Sequence, residues 1–79
     1  MGVDLPPSAL GAAVRAKRLE RGLSQVALGT RTGMHPAYIR GVERGARNAR
    51  WDVLVALAAG LDVALSELVA DAEAVADRR

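Results

Sequence analysis

Residues 24–48 read SQVALGTRTGMHPAYIRGVERGARN, and the spacing within this stretch decides the fold. Ser24 precedes a short helical pattern over residues 25–32, and a serine there can satisfy an orphan N–H group of the first turn. Gly29 follows Gln25 by four positions, and Gly33 follows Gly29 by four more. Two helices cross closely only where one presents almost no side chain, as Gly29 does. The turn after it must accept a left-handed backbone, which suits Gly33. His35 then occupies an N-cap position and Pro36 the first helical position, where its missing N–H costs nothing. Ile39 and Val42, three apart, pack inward at helical spacing, and the opposite face of their helix stays free.

That arrangement is a helix-turn-helix at about residues 24–44, the motif whose second helix lies in the DNA major groove. Outward from it, the pattern stays helical in both directions. Residues 1–7 hold two prolines and no periodicity, so a loose arm is expected. Ser8 is expected to cap a first helix running to about Arg21 and ended by Gly22, with Leu10, Ala13 and Val14 on one stripe. Leu23 anchors the next turn. The third helix is expected to end at Gly45, and residues 46–50 form a polar connection. A fourth helix spans roughly Trp51 to Gly60, with Leu54, Leu57, Ala58 and Leu61 facing the core. The last helix starts near Ala64 or Leu65 and fades after Ala76. Its apolar stripe is Leu65, Leu68, Val69, Ala72 and Val75, and Asp71, Glu73 and Asp77 form its wet face. No strand pattern or repeat appears. The expectation is an all-α, five-helix domain over residues 8–76, with an arm at 1–7 and a tail at 77–79.

Seventy-nine residues lie near the lower limit for a self-sufficient core, so oligomerisation is expected. There is no cysteine and a single histidine, so neither a disulfide framework nor a zinc centre can be assembled, and no metal or cofactor is expected. The longest apolar run, VLVALAAGL at residues 53–61, is about half the length of a membrane span. The N-terminus lacks the regions of a signal peptide. A cytoplasmic protein with no membrane association is the natural expectation. No nucleophile–base set, carboxylate pair or phosphate-binding glycine loop appears, which argues against an enzyme.

The net charge of +2 conceals a division. Residues 1–50 carry nine Lys/Arg against Asp4, Glu20 and Glu43, a net +6; residues 51–79 carry Arg78 and Arg79 against six acids, a net −4. One half suits a polyanion and the other is repelled by it. The basic half coincides with the helix-turn-helix.

The landmarks Leu10, Arg18, Gly22-Leu23-Ser24-Gln25, Leu28, Gly33, Ile39, Glu43, Gly45, Ala58, Leu61 and Glu67-Leu68 occur in the order and spacing of the Cro and phage-repressor-type helix-turn-helix family, the Xre family. The chain resembles that family over about residues 9–69. Residues 38–48, YIRGVERGARN, are similar to the restriction–modification controller proteins, small dimeric members of the same family. The resemblance implies the lambda-repressor-like fold and a homodimer that binds a palindromic operator on double-stranded DNA and regulates transcription, with RNA polymerase as a candidate partner. It also implies that Arg18 and Glu43 form a buried ion pair holding the reading helix to the scaffold. Gln25 is implied to reach a DNA phosphate from the start of the second helix, where the helix dipole adds to the attraction.

On the third helix, His35, Pro36, Ala37, Arg40, Gly41 and Arg44 are expected on the exposed face. Pro36 and Ala37 can touch a thymine methyl, and Arg40 suits a guanine edge or a phosphate equally. His35 is a cap before it is a base reader. Tyr38 either reaches a phosphate through its hydroxyl or packs inward. Direct base readout is therefore thin, and DNA shape is expected to carry part of the specificity. Arg44, Arg47, Asn48 and Arg50 cluster just after the reading helix as expected phosphate or minor-groove contacts. Trp51, Leu65, Leu68, Val69, Ala72 and Val75 are the expected dimer surface. Two alternatives remain open at this point: an antitoxin-type autorepressor, and a helix-turn-helix adaptor that binds protein.

Overall fold

The computed structural model describes residues 5–78. Among them are five helices and no strand: α1 (Pro7–Glu20), α2 (Gln25–Thr32), α3 (Pro36–Glu43), α4 (Trp51–Gly60) and α5 (Leu65–Asp77). Residues 1–4 of the expected arm, and Arg79 of the tail, lie outside the described residues.

The start of α1 differs from expectation. Pro6 is the extended N-cap residue and Pro7 takes the first helical position, so Ser8 lies inside the first turn. Proline tolerates that position because the N–H it lacks would have no helical partner. The helix ends at Glu20, and Gly22 just beyond it has a φ of +70°. The N–H groups of Gly22 and Leu23 fold back to the carbonyls of Leu19 and Arg18, both at 3.0 Å, the paired closure typical of a left-handed residue after a helix. The same closure ends α3 at Glu43 rather than Gly45, with Ala46 N–H bonded to Gly41 O at 2.9 Å. It ends α4 as well, and there the left-handed residue is Asp62, at φ +57°.

The helix-turn-helix has the expected caps. Ser24 Oγ accepts the Ala27 N–H at 2.9 Å, and His35 Nδ1 accepts the Ala37 N–H at 3.0 Å. A Cβ added at Gly29 would stand 2.6 Å from the Met34 carbonyl oxygen, so only glycine permits this crossing. Gly11 of α1 plays a comparable part that the motif alone does not reveal. A Cβ there would collide with the Val42 and Glu43 carbonyls at the end of α3.

Leu28, Ile39, Leu57, Leu61, Leu68, Val14 and Val42 are fully buried and join one element to the next in a single core. α5 packs principally along α1. Leu68 and Ala72 are 0% exposed within the single chain, because α1 is as long as α5 and Ala13 on its facing side is small. These two residues, expected on the dimer surface, belong to the core of the single chain. Val69 and Val75 are half-buried, not bare. Asp71, expected on the wet face, instead lies 3.4 Å from Lys17 of α1. Among the described residues no single helix is long and apolar enough to cross a membrane.

Candidate nucleic-acid interface

α3 is held from behind by one buried carboxylate. Glu43 Oε2 accepts from Arg18 Nε at 2.7 Å, and Glu43 Oε1 accepts from Arg18 Nη2 at 3.0 Å. The third guanidinium nitrogen, Nη1, donates to the Leu23 carbonyl at 2.8 Å. The hydrogen bond to Glu43 raises the Arg18 pKa further above its already high value. This two-point geometry fixes orientation as well as distance. It ties α1, the turn after it and the end of α3 into one unit.

Gln25 joins the same carboxylate: its Nε2 donates to Glu43 Oε1 at 3.1 Å. One N–H of its amide is thus turned toward Glu43, and the nitrogen's second N–H takes no part in that bond.

The N-cap His35 is exposed, as are Ala37 and Arg40 on α3 and Arg44 just after its end. Pro36 is half-buried against the Gly29 crossing. Gly41, expected on the open face, is buried, because the stem of Arg47 folds back across it. Arg47 then carries its guanidinium carbon to 5.7 Å from the centre of the Tyr38 ring, within cation–π range. Tyr38 is half-buried against the core. Arg47, Asn48 and Arg50 are exposed, and Arg50 pairs at 3.4 Å with Asp52, also exposed.

Eight of the basic residues fall into two sets. Lys17, Arg18, Arg21 and Arg31 serve the fold. Lys17 Nζ, buried between α1 and α5, lies 2.9 Å from Glu67, 3.4 Å from Asp71 and 3.6 Å from Glu20. Its hydrogen bond to Glu67 raises the lysine and, with the attraction of its charge, lowers the Glu67 carboxyl. Arg21 donates to the Leu61 and Asp62 carbonyls at 3.0 and 3.1 Å, and Arg31 to the Gly60 carbonyl at 3.1 Å. Both cap the negative end of α4, which has no basic residue in its own last turn. Sequence reasoning missed these roles; the signal was a helix C-terminus with neither glycine beyond it nor a cation on it. Among the described residues, Arg40 and Arg44 hold no ion pair. With Arg47 and Arg50 they form the outward cationic set of α3 and the loop after it.

Trp51 is 71% exposed and Val55, one turn along α4, 44% exposed. Trp51 therefore lies outside the monomer core.

A family model described as helix-turn-helix matches residues 14–68. No curated protein sequence matches the chain. Among solved structures, the restriction–modification controller protein C.AhdI from Aeromonas hydrophila is similar at 37% identity and a TM-score of 0.76, over 78% of this chain and 94% of that one. The clp gene regulator ClgR from C. glutamicum is similar at 25% identity and 0.85, over 90% and 92%. The wild-type controller protein C.Esp1396I shares the fold at 24% identity and 0.86, over 96% and 99%. With its buried Arg18–Glu43 pair behind a cationic α3, this chain belongs to the Xre-type helix-turn-helix family of DNA-binding transcriptional regulators.

Proposed function

We propose that the protein is a sequence-specific regulator that binds a palindromic operator on double-stranded DNA as a homodimer. The observation that carries this reading is the outward set Arg40, Arg44 and Arg47 on and just after α3, with Arg18 and Glu43 fixing that helix from behind. In the complex α3 enters the major groove. Arg40 faces a guanine edge or phosphate, Ala37 and the rim of Pro36 face thymine methyl groups, and Arg44, Arg47, Asn48 and Arg50 follow the backbone. Gln25 offers its second amide N–H to a phosphate, and the Tyr38 ring supports Arg47.

The second copy docks on the face of α4 that carries Trp51 and Val55, extended by the half-buried Leu65 and Val69 of α5. An exposed tryptophan beside an exposed valine supports such a contact. The acidic second half of the chain then lies away from DNA, and the two α3 helices meet successive major grooves about 34–36 Å apart. The folded unit at about 8–76 does this work. The cellular place is the cytoplasm, RNA polymerase is a candidate partner, and the role is binding rather than catalysis.

The test is selection of bound duplexes from a random pool, followed by gel shifts on the winners. A two-fold symmetric consensus bound by two protomers is expected. One observation favours a second reading: apart from Arg40, α3 offers almost no side chain suited to base edges, as a protein adaptor would. Failure to enrich any duplex would favour the adaptor.

A further inference from the structure

We infer that Gly41 is a positioning residue for Arg47. The side chain it lacks leaves a seat on α3, and that seat delivers the arginine's guanidinium to the Tyr38 ring. The inference rests on the reading of this surface as the DNA contact.

Gly41 lies inside α3, where glycine is the poorest helix former short of proline. Its φ is not positive, so no turn demands it, and the reason is spatial. A Cβ built there would stand 3.1 Å from Arg47 Cγ, 3.7 Å from Nε and 4.0 Å from Cδ. Its three nearest neighbours thus all belong to one arginine. Tyr38 and Gly41 are three apart on the helix and share a face. The left-handed Gly45 turns the chain back over that face, and the Ala46 N–H bond to the Gly41 carbonyl anchors the return at 2.9 Å. Arg47 therefore crosses Gly41 with its stem and ends 5.7 Å from the Tyr38 ring centre.

The consequence is pre-ordering. A long, flexible side chain loses rotamer freedom when it binds, and a stem already seated has less to lose. A side chain at position 41 lifts the stem by a few tenths of an ångström at Cγ, and the lever of the remaining bonds swings the guanidinium off the ring. Substitution at 41 thus acts on DNA through residue 47 and needs no contact of its own.

The experiment compares wild type, Gly41→Ala, Gly41→Leu, Arg47→Ala and the double variant Gly41→Leu/Arg47→Ala. The probes are a mixed-sequence duplex and the duplex that wild type selects from a random pool. Gly41→Ala should raise the melting temperature, because alanine favours helix, yet weaken duplex binding several-fold. Gly41→Leu should approach the loss seen for Arg47→Ala, about tenfold for one arginine contact. In the Arg47→Ala background Gly41→Leu should change affinity no further. Without DNA, the Arg47 Cδ protons of wild type should show the ring-current shift of Tyr38, and Gly41→Leu should abolish it. Unchanged Arg47 signals and affinity in both Gly41 variants would overturn the inference. So would an equal loss from Gly41→Leu in both backgrounds, which would mean that residue 41 meets DNA itself. If wild type binds neither duplex while the ring-current result holds, the DNA reading fails and the seat stands.

Discussion

Arg18 of α1 and Glu43 of α3 meet through two parallel hydrogen bonds, 2.7 Å at Nε and 3.0 Å at Nη2, and both side chains are buried. Twenty-five positions separate them in sequence, so the pair fixes α3 to the start of the domain. Removing Glu43 leaves a buried guanidinium with one carbonyl partner, and removing one member of a buried pair costs about 3–5 kcal/mol. Glu43→Ala is expected to lose that much in urea unfolding, a large share of the stability of a small domain. An unfolding midpoint equal to wild type would show that the pair contributes nothing to the fold.

The second prediction concerns the α4 face. Val55→Asp places a charge beside Trp51 on the proposed contact while leaving the monomer core untouched. The variant is expected to keep its circular dichroism and melting cooperativity, to sediment as a monomer, and to lose most operator affinity. A variant that remains dimeric would move the contact off α4. Leu68→Asp is not an equivalent test, because Leu68 is 0% exposed in the single chain and its loss would unfold the domain.

The third prediction is a dependence on pH. The hydrogen bond from Lys17 holds the Glu67 carboxyl below the ordinary carboxylate range. Its contribution to stability is therefore fully present above that ordinary range and is lost as the pH falls through the lowered value. Lys17 is shifted upward, so its contribution is present below the ordinary lysine range and is lost only as the pH rises through the raised value. Glu67→Gln is expected to be less stable than wild type at neutral pH and to converge with it in strong acid. Parallel stability curves over the acid range would show that the Lys17–Glu67 contact carries no linkage.

Much of the fold was legible because its constraints are local. Ser24, Gly33, His35 and Pro36 each satisfy a backbone requirement within a few residues of themselves, and the bounds of α2 and the start of α3 follow from such signals. Ser8 is a good cap in isolation, but Pro6 and Pro7 start α1 one residue before Ser8 and place it inside the first turn. Less legible were the exposures settled by packing across the chain. Leu68 and Ala72 have the spacing of a free stripe, and only the length of α1 beside them shows that the stripe is already covered. In the same way Gly41 looked open until Arg47 folded over it. The charge count of the first half overstated the DNA surface, since Lys17, Arg18, Arg21 and Arg31 all turn to partners distant in sequence.

The central claim is that α3 and the loop after it form an electrostatic DNA surface, and the salt dependence of affinity tests it most directly. Arg40, Arg44, Arg47 and Arg50 offer about four phosphate contacts per protomer and about eight per dimer. Each neutralised phosphate contributes about −0.9 to the slope of log affinity against log salt. Wild type is expected to lose about 10³–10⁵ in affinity between about 50 and 200 mM salt, and Arg44→Ala to weaken binding to all sequences alike. In a dimer that variant should flatten the slope by about two phosphates' worth. An affinity that does not change with salt, or a slope that Arg44→Ala leaves intact, would contradict the account.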